Sequence, residues 1–243
     1  MRAYYNEIDP FAAQWLRNLI AAGEIAAGDV DERSIVEVKA DDLAGYNQCH
    51  FFAGIGGWSL ALRLAGWPDD RAVWTGSCPC QPFSEAGSRV GTADARHLWP
   101  EWFRLIRECR PVVLFGEQVP GAVRHGWLDG VGQDLESIGY AVGPGVLSAS
   151  AVDADHRRDR LWFVADAEWH EQPREEPRRG PNRRVGRVEQ LLSWDAGWPD
   201  ALARFRVMGD GVPRCVAATD AARNAIVPQV AAEFIAAYME ATT

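Results

Sequence analysis

Apolar residues along this chain alternate between short continuous runs and sets at helical spacing, the pattern of an open α/β sheet. Ala3-Tyr4-Tyr5 reads as a short strand, and a helix signal follows with Pro10 at its start and Phe11, Trp15, Leu16, Leu19 and Ile20 on one face. The run from Cys49 to Phe52 predicts a second strand, opening into the helical pattern Leu60, Leu62, Leu64. Ala72-Val73-Trp74 and Val112 to Phe115 are further buried-strand signals, separated by a helix around His97 to Cys109 with Leu98, Trp102, Leu105, Ile106 and Cys109 facing the core. Val230, Phe234, Ala237 and Tyr238 mark a last helix.

Composition narrows the class. A chain of 243 residues with 47% hydrophobic content buries one sizeable core, so one α/β domain with a small appendage is expected. No stretch has the length of a membrane span or signal segment, and a cytoplasmic protein is expected. Five cysteines, odd in number and without metal-ligand spacing, fit a reducing compartment; Cys78-x-Cys80 is no zinc pair, and no metal is expected. The net charge of −9 argues against a broad basic face. Positive charge is instead local. Between Arg174 and Arg187 six arginines, among them Arg178, Arg179, Arg183 and Arg184, stand against Glu175 and Glu176, and Pro173, Pro177, Gly180, Pro181 and Gly186 make that stretch a loop.

Three segments carry chemistry. Residues 79 to 84 read Pro-Cys-Gln-Pro-Phe-Ser just after the third strand signal and Gly76, which puts Cys80 on a proline-stiffened turn at the carboxyl edge of a sheet, where open α/β folds build their sites. Cys78 reads as a packing residue, whereas Cys80, flanked by Pro79 and by the donors Gln81 and Ser84, reads as a nucleophile. Phe52-Ala53-Gly54-Ile55-Gly56-Gly57 joins a strand to a helix with the glycines that close backbone approach to a ligand requires, a turn that serves nicotinamide and flavin enzymes equally well. Glu117 closes the strand ending Val112 to Phe115, an unfavourable place for a carboxylate without a partner or a task.

On these segments the chain resembles the cytosine-5 DNA methyltransferase family over most of its length. The resemblance implies a Rossmann-like, S-adenosylmethionine-dependent methyltransferase sheet with helices on both faces and a small recognition appendage. Cys80 corresponds to the nucleophile of the family's Pro-Cys-Gln loop, and Glu117 in Glu117-Gln118-Val119 to the acid of its Glu-Asn-Val, with Gln118 in place of asparagine. His156-Arg157-Arg158-Asp159-Arg160 is similar to the Gln-x-Arg-x-Arg segment, with His156 for glutamine; Arg160 then contacts the cytosine O2 and Arg158 stands beside it. Arg157 reads as part of a solvated face. Asn224-Ala225-Ile226-Val227 resembles Gly-Asn-x-Val, with Arg223 in the glycine's place, so Asn224 and Ala225 fall beside the methionine part of S-adenosyl-L-methionine. The turn residues Phe52, Ala53, Gly54, Gly56 and Gly57, together with Pro79, complete that half of the cofactor site.

Only about two dozen residues separate the Gly-rich turn from Cys80, too few for the two strand-helix units the family places there. Asn6-Glu7-Ile8-Asp9 resembles the family's second motif and Gly28-Asp29-Val30 its third, so the chain resembles a circularly permuted member. Glu7 then holds the cofactor ribose, with Ile8 beside it, and Asp29 accepts from the adenine amino group. The catalytic domain is expected over residues 1–167 and 207–243, with residues 1–47 as the relocated strands and 168–206 as a short target-recognition region. There Arg178, Arg179, Arg183 and Arg184 are candidate contacts to double-stranded DNA, as are Gln81 and Ser84; Trp194, Trp198 and Phe205 suggest that its later half packs. A monomer is expected. Two other readings remain open: a DNA-binding homologue without catalysis, and an RNA cytosine-5 methyltransferase. Also open is the sheet face of the helix after Gly57: a right-handed crossover moves it from its family face, and the family face demands a left-handed one.

Overall fold

The computed structural model of the chain describes residues 2–79, 98–124, 126–149, 158–169 and 225–242. Seven strands form one sheet: β1 (Ala3–Asn6), β2 (Gly28–Asp31), β3 (Gln48–Phe51), β4 (Val73–Gly76), β5 (Val113–Gln118), β6 (Ala141–Ser148) and β7 (Asp159–Asp166). Across the sheet they lie in the order β2-β1-β3-β4-β5-β7-β6. The first five are parallel, β7 runs antiparallel to β5, and β6 antiparallel to β7. Around them pack α1 (Pro10–Ala21), α2 (Gly57–Leu64), α3 (Trp99–Cys109), α4 (Gly121–Arg124), α5 (Trp127–Ser137) and α6 (Pro228–Ala241), with a 3-10 turn at Ala40–Leu43.

Local chemistry sets these boundaries. Asp9 caps α1 by accepting from the Ala12 N–H at 2.9 Å, and Pro10 occupies the first turn, where its missing N–H costs nothing. Pro100 and Pro228 begin α3 and α6 in the same way. Strands β1, β3, β4 and β5 are buried throughout, as parallel strands covered on both faces must be.

Alternation along each strand sorts the helices between two faces. On one face Tyr4, Cys49, Phe51, Trp74 and Leu114 meet Trp102, Leu105 and Ile106 of α3 and Trp127 and Val131 of α5. The opposite face is covered in two patches. Ala3 and Tyr5 pack against Trp15, Leu16 and Leu19 of α1, while Val73, Val113 and Phe115 pack against Trp58 and Leu62 of α2 and Val230 and Ile235 of α6. Helix α2 therefore shares its face with α1 and α6. The Tyr5 hydroxyl meets Ser59 Oγ at 3.0 Å, tying the two patches together.

This placement settles the hand of the short crossover. The units β3-α2-β4 and β4-α3-β5 step in the same direction across the sheet, with their helices on opposite faces, so their hands are opposite. The unit β1-α1-β2 steps the other way with α1 on the face of α2, so its hand also opposes that of β3-α2-β4. Right-handed crossovers account for about 98% of such connections, which identifies β3-α2-β4 as left-handed. Its return segment is closely tied down. Gly66 adopts φ +79°, the Trp67 indole donates to the Arg71 carbonyl at 3.1 Å, and Gln48 and Asn47 donate to the carbonyls of Pro68 and Asp70.

Candidate active site

A cleft of about 730 Å³ opens at the carboxyl ends of β1, β3, β4 and β5, the position where parallel sheets gather their functional loops. Its floor on one side is the Gly-rich turn. Phe52 holds φ +52°, a conformation that non-glycine residues seldom adopt and one that marks local strain. Gly56 caps α2 at φ +86°. At Gly57 a Cβ would stand 2.7 Å from Ile226 Cγ1, so the segment leading into α6 sits directly on the turn.

Glu7 is fixed against that turn from β1. Its two carboxylate oxygens accept from the N–H groups of Gly54 at 2.7 Å and Asp9 at 2.9 Å. Burial pushes its pKa up, and these N–H contacts oppose the shift. Ile8 also lines the cleft and is 65% exposed, a large apolar side chain left open at a concave site. Asp29 does not reach the cleft. It lies within β2 opposite Tyr4, where Arg2 and the Tyr46 hydroxyl, the latter at 2.7 Å, hold its carboxylate. The β2 end reaches the cleft further along, through Arg33, Ser34 and Ile35, which the motif spelling did not single out.

On the other side Glu117 ends β5 at 8% exposure, and the Arg160 Nε stands 2.8 Å from its Oε1. Burial is the larger influence and pushes the Glu117 pKa up, while Arg160, Arg158 and a hydrogen bond with Ser77 pull it down. The antiparallel β5–β7 register, with Gln118 opposite Leu161, delivers Arg160 to this corner. Arg158 turns to the other wall and donates to the Ala225 carbonyl at 2.8 Å. Gln118 Nε2 donates to the Cys78 carbonyl at 3.3 Å, and its Oε1 accepts from the Val119 N–H, so the amide clamps the β4 exit to the β5 exit. Burial drives the Cys78 thiol far above its ordinary range, which leaves it a packing group.

Of the residues expected at the site, Glu7, Ile8, Phe52, Ala53, Gly54, Gly57, Pro79, Glu117, Arg158, Arg160 and Ala225 line this one cleft. Gly56 underlies it. Cys80, Gln81, Ser84, His156, Arg157, Arg223 and Asn224 lie outside the described residues, as do Arg178, Arg179, Arg183 and Arg184. So does nearly all of the segment 168–206. Among the described residues no cluster of His, Cys, Asp or Glu could hold a metal ion. No helix of the described residues is long and apolar enough to cross a membrane.

The sheet order, with the Gly-rich turn at its centre and the antiparallel β7 on its flank, is a Rossmann-like α/β arrangement. Residues 67–183 match the model of the C-5 cytosine-specific DNA methylase family. Similar curated proteins include the Type II methyltransferase M.HhaI of Haemophilus parahaemolyticus, 25% identical over 169 residues that cover 54% of this chain and 52% of that protein. The Type II methyltransferase M.Eco47II of Escherichia coli is 36% identical over 215 residues, covering 62% of this chain and 52% of that protein. The chain thus spans about half the length of these two relatives. Among solved structures it resembles the S. pombe Dnmt2 methyltransferase at 16% identity and a TM-score of 0.43, over 71% of this chain and 52% of that one.

Proposed function

We propose that this chain transfers a methyl group from S-adenosyl-L-methionine to C5 of a cytosine in double-stranded DNA. The observation that carries the reading is the pair of the buried Glu117 with Arg160, which shares one cleft with the Gly-rich turn and stands level with Ser77, the first residue after β4 on the way through Pro79 to Cys80. The residues present fit the cofactor. The turn leaves room for a ligand against the backbone, and Glu7 presents a carboxylate suited to a ribose diol. Phe52, Ala53, Gly54, Ile8, Pro79 and Ala225 would complete its seat, with Asn224 added from the segment before Ala225. Ser34, three residues beyond β2, lines the cleft and would stand beside the adenine in place of Asp29. When bound, the cofactor supplies the methyl group.

The chain's own groups activate the base. The Cys80 thiolate attacks C6 of the ring, and Glu117 delivers a proton to N3, so electron density arrives at C5. Burial suits Glu117 to this task by holding a proton to higher pH than an exposed carboxyl would. Arg160, already beside Glu117, faces the neighbouring O2, and Arg158 braces the wall. Loss of the C5 proton, with return of the N3 proton to Glu117, then expels the thiolate and restores aromaticity. A stacked base cannot enter such a cleft, so the target must leave the duplex, at a cost of a few kcal/mol. Residues 168–206 form the target-recognition region in this reading.

Strand order supports the further proposal that the chain is a circularly permuted member of the family. Its first two strands occupy the positions beside the Gly-rich strand β3, although they precede it in sequence. The test is incubation with cofactor and a mixed-sequence duplex containing 5-fluorocytosine. A covalent adduct that is lost in Cys80→Ala is expected, and its absence at every sequence would overturn the reading. Methyl incorporation into tRNA in preference to duplex DNA would move the substrate to RNA.

A further inference from the structure

The mechanism above uses Glu117 but leaves unexplained what fixes its carboxyl on the β4 side. Strands β4 and β5 are parallel with Gly76 opposite Gly116, so the next residues, Ser77 and Glu117, leave the sheet edge side by side. Ser77 is itself held: the Trp58 indole donates to its Oγ at 3.0 Å. An indole N–H can only donate. It therefore occupies a lone pair of the serine oxygen and leaves the hydroxyl proton free to be given away. The neighbouring acceptor is the Glu117 carboxyl, which leaves the sheet edge beside Ser77 and whose charged form the serine hydroxyl favours.

The indole is a rigid support. Trp58 is 2% exposed, stacks on Phe115 with ring centroids 6.3 Å apart and meets Trp162 edge-on at 5.5 Å. It stands in the first turn of α2, directly after Gly57, so its position is tied to the Gly-rich turn. We propose that Trp58 and Ser77 form a positioning relay for Glu117, in which the hydroxyl oriented by the indole holds the carboxyl toward the cleft and couples it to the Gly-rich turn. Ser77 and Trp58 are positioning residues here, acting through Glu117. The inference rests on the proposed function for its catalytic meaning, and on the β4–β5 register and the Trp58–Ser77 bond for the arrangement.

The relay has a consequence for protonation. The groups facing Glu117 are Arg160 and Arg158 from β7, Ser77 from the β4 exit, and the buried Cys78 thiol beside it. Burial favours the protonated acid, whereas the two arginines and the serine hydroxyl favour the carboxylate. Removing the hydroxyl takes away a donor to the charged form, so the acid must hold its proton to higher pH.

The experiment is a carbon-13 NMR titration of the full chain labelled at the glutamate carboxyl, with Glu117→Gln assigning the signal. Ser77→Ala is expected to move the Glu117 midpoint up by about one unit. Trp58→Phe, which keeps the stacked ring but loses the N–H, should move it the same way by less. Ser77→Thr, retaining the hydroxyl, should return it toward the wild-type value. An unchanged midpoint in Ser77→Ala would overturn the relay, as would a Thr variant that behaves like Ala. Methyl transfer by the wild-type chain is measured in parallel. Transfer with an unmoved midpoint sinks the relay alone, and a moved midpoint without transfer to any nucleic acid sinks the proposed function alone.

Discussion

His50 should make this protein lose stability in mild acid. The imidazole sits in β3 at 1% exposure, stacked on Tyr5 with centroids 4.8 Å apart, and its Nδ1 meets Thr75 Oγ1 at 2.8 Å. Among the described residues its Nε2 is buried without a hydrogen-bond partner. Burial pushes its pKa down to about 3, against a weak opposing influence from Asp69. Because the folded value lies below the unfolded value of about 6.5, the unfolded chain binds the extra proton between them. The contribution is whole above about pH 6.5 and is lost as pH falls, at about 1.4 kcal/mol per unit. By about pH 5 the loss is ~2 kcal/mol, a sizeable part of a typical 5–15 kcal/mol. Urea denaturation followed by tryptophan fluorescence across this window reads it, with His50→Gln as reference. The difference between the two proteins cancels the carboxylates Glu7 and Glu117, whose raised values act with the opposite sign. Equal pH slopes for the two proteins, or a His50 ring that titrates near its ordinary value by NMR, would refute the reasoning.

Three further outcomes follow from contacts in the structure. Gly57→Ala should destabilise the protein by about 1–3 kcal/mol, since its Cβ would meet Ile226 Cγ1 at 2.7 Å, and Ile226→Ala should recover part of the loss in thermal unfolding. Glu7→Gln should weaken S-adenosylmethionine binding by roughly tenfold or more, measured by calorimetry, because a charged acceptor is replaced by a neutral one. Tyr238→Phe removes the hydroxyl that donates to Asp166 Oδ2 at 2.6 Å and should cost about 1–3 kcal/mol in chemical denaturation, with Asp166 left buried on a single backbone donor from Glu168.

How much could be read from the sequence depended on whether a residue's role was local. The Gly-rich turn is local: strand, glycines and helix follow one another, so Phe52 to Gly57 could be placed by pattern. Glu117 could be singled out because a carboxylate at the end of an apolar run is anomalous by itself. Asp29 shows the opposite case. Its motif spelling pointed to the cleft, but strand register places it opposite Tyr4, two pairs short of the level at which Asn6 faces Asp31, and only the residues after β2 reach the site. Nothing in the spacing of β2 announces that register, because the strand reads Gly-Asp-Val-Asp and no apolar alternation pins it. The face of α2 was equally illegible. Strand β3 is buried on both sides, so its residues carry no mark of which helix covers which face. The Trp58 to Ser77 bond joins residues brought together only by the β3–β4 pairing, and a tryptophan followed much later by a serine has no signature of its own.

The order of the strands also has a meaning in time. Strands β1, β2 and β3 with α1 and α2 all fall within residues 3–64, and the apolar patch formed by Ala3, Tyr5, Leu16, Leu19, Ile25 and Ala53 is closed within that same stretch. All of these residues precede β4, so the contacts among them need no later part of the chain. During synthesis the frame around the Gly-rich turn can therefore assemble before β5 and Glu117 have left the ribosome. The chain is organised so that the cradle is made first and the reactive strand is added to it, in a single pass from one end to the other.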